Sequence, residues 1–213
     1  MLRVETGSPG AERGRTVDLT TFAMQALADF RTVGAVAPSS RYLTRAMVDP
    51  LPLRHARVVV ELGCGTGAVT RTLLKHMPRK SLLLAFEINP RFSRYLREQI
   101  HDPRLVLINA SAETMRQELE RRGYKHVDAV ASSLALTLMS NQLKHDILSE
   151  SAGILRHGGV FTQYLYLHGI QWQGGWPGLF AGGRMLREHF RDVDQTIVWP
   201  NLPPAFVYAC RAS

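Results

Sequence analysis

The sequence predicts an α/β domain whose sheet has seven mostly parallel strands and ends in an antiparallel hairpin. Three observations lead to this fold class. Four short apolar runs alternate with helical patterns between residues 58 and 132, which is typical of parallel strands joined by crossover helices. A fifth apolar run follows near residue 160. Two last runs are joined by so short a turn that they can only pair antiparallel.

Length, hydropathy and cysteine content set the broad class. A chain of 213 residues suits one domain that can bury a sizeable core. Its apolar runs are much shorter than the ~20 residues that cross a bilayer, and the first residues carry no secretory signal core, so we expect a cytoplasmic protein. Two cysteines, Cys64 and Cys210, are too few for a disulfide framework.

The charge of the chain indicates an anionic partner. Lys and Arg number 26 against 18 Asp and Glu, which gives a formal net charge of +8. Nucleic acid and the phosphate-rich surface of a membrane both fit this sign. Because the charges are scattered rather than clustered, a merely solvated basic surface is an equally good interpretation.

The first 48 residues precede the alternating region. Residues 1–16 lack an apolar period and are expected to be a disordered tail. Residues 17–48 are expected to form two helices before the α/β domain of residues 49–213. The first has apolar residues at helical spacing from Leu19 to Phe30, and the second follows Pro38, with Ser39 as a possible cap.

The remaining elements follow in order from apolar runs and breakers. Strands are predicted at 58–62, 82–86, 104–108, 127–132, 158–167, 194–200 and 204–210. Helices are predicted to open at Gly67, Pro90 and Ser111, then at Ser140 or Asn141 until about Leu155, and again near 185–190. The stretch from Trp172 to Gly183 is predicted to be a loop.

The loop in VVVELGCGTGAVT (58–70) carries the strongest chemical signal. It lacks the Lys-Ser/Thr ending of a nucleoside triphosphate loop, because Ala68 and Val69 follow Gly67. The dinucleotide pattern is formally met, but Glu61 stands directly before the glycines. A carboxylate there repels a pyrophosphate and can accept hydrogen bonds from an ammonium group.

Glu61-x-Gly63-x-Gly65-x-Gly67 resembles the S-adenosylmethionine loop of class I methyltransferases. The layout of five βα units and a final hairpin also resembles their Rossmann-like fold. The resemblance implies that Glu87, 20 residues beyond Gly67, accepts both ribose hydroxyls. Ser111 either contacts the adenine or only caps a helix. The implied cofactor residues are Glu61, Gly63, Cys64, Gly65, Thr66, Gly67, Glu87, Ile88, Ser111, Ala112, Glu113 and Ser132, and no metal is expected.

The acceptor must be inferred from other segments, since many chemistries use this loop. Adenine methyltransferases carry Asn-x-Pro-Tyr/Phe after the fourth strand, where this chain has Ser132-Ser133-Leu134-Ala135. Asn201-Leu202-Pro203-Pro204 looks similar, but it lies about 70 residues too late, in the terminal hairpin. Methylation of a nucleic-acid base is therefore the second hypothesis, and nucleic acid is the less favoured partner.

Two segments, GAVAPSSRYLTRAM (34–47) and NLPPAFVY (201–208), resemble the soluble bacterial phospholipid N-methyltransferases, which methylate phosphatidylethanolamine on the route to phosphatidylcholine. The resemblance spans about residues 20–211. It implies an aminophospholipid substrate, an anionic membrane as partner, and peripheral association with the inner face of the cytoplasmic membrane through the first helix. Ser133 and Ala135 depart from the Ser-Gly-Leu-Pro of that family, so an ornithine lipid remains an alternative headgroup.

Candidate acceptor residues complete the sequence hypothesis. Tyr164 and Tyr166 are expected to share one face of the sheet, or to lie together in the loop beyond it, and to attract a cationic amine. His168 is the best candidate for a base. Arg41 and Arg45 share a helical face that could grip a lipid phosphate. Each of these also has an ordinary structural interpretation. The further substrate-binding candidates are Ser39, Ser40, Tyr42, Ser133, Leu134, Gln163 and Asn201. An RNA or small-molecule methyltransferase and a non-catalytic cofactor-binding scaffold are the rival hypotheses.

Overall fold

A computed structural model of the chain describes residues 38–166, 171–173, 176–178, 182–201 and 204–212, with side chains at 41–166, 182–201 and 204–212. The predicted tail (1–16), the predicted helix from Leu19 to Phe30 and His168 lie outside the described residues. All of the described residues belong to one compact unit, Val36–Ser213.

The core of the unit is a seven-stranded sheet. Its strands are β1 (Val58–Leu62), β2 (Leu82–Phe86), β3 (Leu105–Ile108), β4 (Val127–Ser132), β5 (Leu155–Tyr166), β8 (Asp192–Val198) and β9 (Ala205–Arg211), and they lie in the order β3-β2-β1-β4-β5-β9-β8. β1 to β5 run parallel, whereas β9 pairs antiparallel with both β5 and β8. This is the predicted fold class. A separate short ladder pairs β6 (Gln171–Gln173) with β7 (Trp176–Gly178).

Helices cover both faces of the sheet. On the first face, α1 (Pro38–Val48) and α2 (Ala68–His76) pack on β1, β4 and β5, while Leu96 of α3 (Pro90–Gln99) packs on Ala85 of β2. On the second face lie α4 (Met115–Glu120), α5 (Asn141–Ile154) and α6 (Gly182–Arg187). Both faces of β1 and β4 are therefore buried, which explains why their sequences are mostly apolar and do not alternate, with Glu61, Asp128 and Ser132 as the buried polar exceptions.

The strand order reverses between β1 and β4. The chain runs outward from β1 to β3 and then returns to place β4 on the other side of β1. In open α/β sheets, ligands bind beyond the carboxyl ends of the strands at such a switch point. The fold therefore directs attention to the loops that follow β1, β2, β4 and β5.

Several predicted boundaries were wrong by a few residues. β3 starts at Leu105, and Pro38 is already helical as part of α1. β5 starts at Leu155 and passes an irregularity where Gly158 and Gly159 had suggested a break.

Two segments after β5 also differ from the prediction. α6 begins at Gly182, not near 185, since burial of Leu186 outweighs the low helix propensity of two glycines. The predicted loop from Trp172 to Gly183 contains part of the β6–β7 ladder. In the part of the chain that the structure describes, no helix has the length and apolarity needed to span a bilayer.

Candidate active site

The loop after β1 is held tightly against the end of β2. The backbone N–H groups of Gly63 and Cys64 both donate to the carbonyl oxygen of Phe86, at 2.9 and 3.2 Å. Gly63, Gly65 and Gly67 all have positive φ angles, of 74°, 51° and 83°. A side chain at any of these positions would be strained, so the spacing of the glycines follows from the path of the backbone.

The missing side chain makes room for a neighbouring helix at Gly67 and leaves open space at Gly65. A Cβ placed on Gly67 would lie 2.5 Å from Cδ2 of Leu96, so this glycine allows α2 to begin directly against α3. A Cβ placed on Gly65 would meet no atom of the described structure within 4 Å. The backbone at Gly65 therefore borders open space, as the backbone of a ligand cradle does.

Glu61, near the end of β1, is completely buried. Neither of its carboxylate oxygens makes a geometrically sound hydrogen bond to a described residue, although Thr70 lies close enough to lower the pKa in part. Burial, with a smaller contribution from nearby Glu87, raises the pKa of Glu61 to about 8. A buried carboxyl with unused oxygens is suited to a ligand that brings its own cation.

Glu87 follows β2 directly and is also buried. Its Oε2 accepts from the N–H of Gly65 at 2.8 Å, and its Oε1 accepts from the N–H of Asn89 at 2.8 Å. Burial raises its pKa, and the backbone donors counteract part of that rise. Each oxygen keeps a second lone pair, so the carboxylate can still receive two hydroxyl groups that sit side by side.

The backbone beyond Glu87 is fixed by residues that sequence reasoning missed. The Asn109 amide donates to the carbonyl oxygens of Glu87 and Ile88, at 2.6 and 3.1 Å. The Asn89 side chain caps α3 by accepting from the N–H of Arg91. An Asn before Pro90 was a usable cap signal, whereas Asn109 gave none, because its partners lie 21 and 22 residues away in the chain.

The residues predicted to border an adenine occupy the same rim. Ile88 is 42% exposed, so its side chain presents an apolar surface beside Glu87. Ser111 accepts from the N–H of Glu113 at 3.4 Å and donates to its carboxylate, so the structure shows it as a cap of the 3₁₀ turn Ala112–Thr114. Cys64 is buried, which raises the pKa of its thiol and keeps it protonated.

The loop after β4 touches the glycine loop. The N–H of Ser133 donates to the carbonyl oxygen of Leu62 at 2.8 Å, and the Leu134 side chain lies against Gly63. Ser132 is buried, and its hydroxyl accepts from the N–H of Leu134 at 3.4 Å. The structure thus brings three of the predicted residues next to the cofactor loop.

Gln163 joins this cluster from β5. The side chain is completely buried, and its Nε2 donates to the carbonyl oxygens of Leu134 and Tyr164, at 2.9 and 2.7 Å. Its Oε1 has no hydrogen-bond partner among the described residues. A buried carboxamide held by its nitrogen therefore offers one free acceptor oxygen beside the loop after β4.

Tyr164 and Tyr166 lie on the opposite face of β5 from Gln163, as strand alternation requires. Their rings meet edge to face, with centroids 5.2 Å apart, so they share one face as predicted. Burial raises the pKa of both hydroxyls, which therefore stay neutral at physiological pH. The two tyrosines and Gln163 therefore lie on opposite faces of β5 near its carboxyl end.

The remaining acceptor candidates lie on α1 and in the terminal hairpin. Arg41 and Arg45 are exposed and one turn apart, and the guanidinium of Arg41 lies 4.9 Å from the ring centre of Tyr42. Asn201 is buried at the turn between β8 and β9. Ser39 and Ser40 lie in the first turn of α1, and their side chains are outside the described set.

Comparisons with known proteins agree with this geometry. Residues 59–159 match the profile of a methyltransferase domain family. An ornithine lipid N-methyltransferase of Singulisphaera acidiphila is 30% identical over 180 residues, which cover 84% of this chain and 88% of the relative. The chain belongs to the class I S-adenosylmethionine-dependent N-methyltransferases. The predicted enzyme class is thereby confirmed.

Other methyltransferases share less sequence or only the fold. Ribosomal RNA small subunit methyltransferase H of Aromatoleum aromaticum is 32% identical over 90 residues, 42% of this chain and 28% of that protein. Burkholderia thailandensis 1,6-didemethyltoxoflavin-N1-methyltransferase superposes with a TM-score of 0.70 at 18% identity, covering 98% of this chain and 93% of the other. The N-methyltransferase NodS of Bradyrhizobium japonicum gives 0.64 at 14% identity, with 82% and 97% covered.

The residues of this methyltransferase fit its cofactor. S-adenosylmethionine has an amino-acid end with an ammonium, and the unused carboxylate oxygens of Glu61 suit that group. Its ribose has two neighbouring hydroxyls, which suit the remaining lone pairs of Glu87. Gly65, whose backbone borders open space, lies between Glu61 and Glu87 in the sequence and donates its N–H to Glu87. Among the described residues, no group of three or more His, Cys, Asp and Glu side chains is placed to hold a metal ion.

Proposed function

We propose that this methyltransferase acts at a membrane surface and methylates the primary amine of an aminolipid headgroup. One observation carries the proposal: an ornithine lipid N-methyltransferase is 30% identical to this chain over most of the length of both proteins. Ornithine lipid and phosphatidylethanolamine share the feature that matters chemically, a primary amine on a diacylated lipid. Phosphatidylethanolamine is included as a candidate substrate because residues 34–47 and 201–208 resemble the phospholipid N-methyltransferases.

The chemistry requires a neutral amine in the right place. Bound S-adenosylmethionine supplies a methyl group already activated on a sulfonium, so the protein contributes mainly position and orientation. The amine nitrogen forms a bond to the methyl carbon, the carbon–sulfur bond breaks with its electron pair going to sulfur, and the nitrogen then releases one proton. In this scheme Gln163 Oε1 accepts a hydrogen bond from an amine N–H, which leaves the nitrogen lone pair free to attack.

The two tyrosines suit the charge that develops on the acceptor. An amine that gains a methyl group becomes cationic, and aromatic ring faces attract such cations. Because burial raises the pKa of both Tyr164 and Tyr166, neither is suited to take the proton at neutral pH. His168, outside the described residues, stays the predicted candidate for that role, with water as the other acceptor.

The decisive experiment supplies the full chain with S-adenosylmethionine and phosphatidylglycerol vesicles that contain ornithine lipid, phosphatidylethanolamine or no aminolipid. Mass spectrometry of the extracted lipids is expected to show methylated product with at least one aminolipid and none in its absence. Comparison of the two lipid arms identifies the headgroup. Cofactor binding without methylation of either lipid would refute the proposal, and a Glu61→Gln variant serves as the inactive control.

RNA methylation is the second candidate and has its own support. The net charge of +8 suits a polyanion, and the partial relative from Aromatoleum aromaticum is named for ribosomal RNA. A parallel reaction with total RNA and labelled methyl donor tests it. Label in RNA but not in lipid would favour this candidate, and tight cofactor binding without transfer to either would favour the scaffold hypothesis.

A further inference from the structure

Charge is distributed unevenly between the two helical faces of the sheet. Helices α1, α2 and α3 carry two, two and three Arg or Lys residues, seven in total, against the single acidic residue Glu98. Helices α4, α5 and α6 on the second face carry four basic residues against four acidic ones. We call the first surface the basic face, and its members are Arg41, Arg45, Arg71, Lys75, Arg91, Arg94 and Arg97.

The charges of the basic face are also not paired with described carboxylates. All seven side chains are exposed, and none of them forms an ion pair with a carboxylate of the described residues. On the opposite face, Arg184 and Arg187 of α6 are likewise exposed and form no ion pair with a described carboxylate, but three other arginines are neutralised. Arg116 pairs with Glu150 at 3.1 Å, while Arg121 and Arg122 both pair with Glu118. The positive potential is thus concentrated on one side of the molecule.

The basic face adjoins the edge of the sheet that carries the site. α2 starts at the end of the glycine loop and α3 starts just after Glu87, so the first turns of both helices lie at the carboxyl ends of the strands. Two amphipathic rings accompany the charges: Tyr42 beside Arg41 is 40% exposed, and Tyr95 beside Arg94 is 44% exposed. Tyrosine on a positively charged surface is typical of the boundary between lipid and water.

We propose that the basic face docks on an anionic bilayer and holds the site-bearing edge of the sheet at the level of the lipid headgroups. The inference rests on the proposed function in one respect, since an acceptor within a bilayer favours a membrane over RNA as the polyanion. The charges themselves fit either. Each Lys or Arg near an anionic bilayer strengthens binding about fivefold, so several unpaired charges together give substantial affinity.

The test neutralises three charges that lie beyond the first turns of α2 and α3, in the variant Lys75→Gln/Arg94→Gln/Arg97→Gln. Its matched control, Arg116→Gln/Arg121→Gln/Arg122→Gln, removes the same charge from the opposite face. Sedimentation of the full chain with phosphatidylglycerol vesicles measures binding, and phosphatidylcholine vesicles provide the neutral comparison. The basic-face variant is expected to bind the anionic vesicles on the order of 100-fold more weakly, and the control variant within a few-fold of wild type.

Two further measurements separate this proposal from the proposed function. Cofactor affinity and methylation of a short-chain aminolipid dispersed without vesicles should be unchanged in the basic-face variant. Equal loss in both triple variants, or vesicle binding that ignores the lipid charge, would overturn the docking proposal, as would loss of RNA affinity with lipid binding intact. Anionic-vesicle binding through this face without methylation of any lipid would instead leave docking standing and refute the proposed function.

Discussion

The two ends of the candidate site are built from different chemistry. The cofactor end, after β1 and β2, holds two buried carboxyl groups, Glu61 and Glu87. The acceptor end, at β5, holds uncharged groups, the Gln163 carboxamide and the rings of Tyr164 and Tyr166. The first suits a ligand that arrives with a cation and two hydroxyls. The second suits an amine that must be neutral to react and becomes cationic only on methylation.

This difference predicts different responses to pH. The Glu61 carboxyl, with its pKa at about 8, is mostly protonated at pH 7 before a cation arrives and ionised once an ammonium pairs with it. The pKa values of the tyrosines are raised from an already high value, so this end gains no charge near neutrality. Cofactor binding should therefore be linked to proton release, whereas the pH dependence of the acceptor step should follow the lipid amine.

The largest expected effect comes from Glu61→Gln. The variant removes the buried carboxylate that we expect to pair with the cofactor ammonium, and loss of a buried charge partner costs ~3–5 kcal/mol. We expect affinity for S-adenosylmethionine to fall on the order of 100-fold or more, measured by isothermal titration calorimetry. The exposed Glu120 at the end of α4 provides the matched control, because Glu120→Gln should leave the affinity within a few-fold of wild type.

The same titration has a pH signature. Below the free-state pKa of about 8, the cofactor must displace a proton from Glu61, so wild-type affinity should weaken as the pH falls from 8 towards 6. Above pH 8 the carboxyl is already ionised and this dependence should vanish. Repeating the measurement in buffers of different ionisation enthalpy counts the released protons. If cofactor binding to Glu61→Gln still released a proton, that proton would come from another group, which would contradict the role given to Glu61.

The second effect compares Gly67→Ala with Gly65→Ala. Both alanines would have positive φ, which costs about 1 kcal/mol, but at Gly67 the new Cβ would also lie 2.5 Å from Leu96 Cδ2. We expect Gly67→Ala to lower the free energy of unfolding by about 3 kcal/mol, and Gly65→Ala by about 1 kcal/mol, in urea denaturation. Gly65→Ala should instead weaken cofactor binding. Equal stability losses would mean that the α2–α3 contact relaxes without cost.

The sequence predicts the cofactor end far better than the acceptor end, and the reason is local. β1, β2 and β4 have the predicted bounds because each is a buried apolar run between breakers. The roles proposed for Glu61 and the glycines follow from the spacing within one short loop. Information of this kind lies within a few consecutive residues, where periodicity and spacing can be recognised.

Contacts between distant parts of the chain could not be read in this way. The bond from Gln163 to the Leu134 carbonyl joins residues 29 positions apart, and Asn109 reaches Glu87 across 22 positions. The buried hydroxyl of Thr70, close to Glu61, sits in a helix whose sequence gives no sign of it. The acceptor end depends on such pairings, so its residues were accessible mainly through resemblance to a family.

The third expected effect comes from Gln163→Met, which tests whether Gln163 serves the acceptor as Glu61 serves the cofactor. Gln163→Met keeps the approximate shape and removes both the free oxygen and the bonds to the Leu134 and Tyr164 carbonyls. We expect kcat/KM for the aminolipid to fall 10- to 100-fold, which corresponds to the loss of one or two buried hydrogen bonds, while cofactor affinity stays within twofold.

The neighbouring residue supplies the control for Gln163. Thr162 is equally buried, and its hydroxyl has no partner among the described residues. It lies on the face of β5 that also carries Tyr164 and Tyr166, but farther than either from the carboxyl end of the strand. Thr162→Val should leave methylation unchanged and should not lower stability, because an unsatisfied hydroxyl is replaced by a methyl group. A Gln163→Met variant that loses cofactor affinity in step with activity would show that Gln163 belongs to the cofactor end instead.

The smallest expected effect comes from two variants of Tyr166, which distinguish the contribution of its ring from that of its hydroxyl group. If ring-face attraction to the methylated amine matters, Tyr166→Phe should retain activity within about threefold, whereas Tyr166→Leu should lose about tenfold, given ~0.5–2 kcal/mol for a cation on an aromatic face. The loss in the leucine variant should be largest for any second or third methylation, since the acceptor is then more often cationic. Resolving the methylated lipids by mass spectrometry during the reaction measures each step. If Tyr166→Phe lost as much as Tyr166→Leu at every step, the hydroxyl rather than the ring would be the contributing group, and the two ends of the site would both depend on hydrogen bonding.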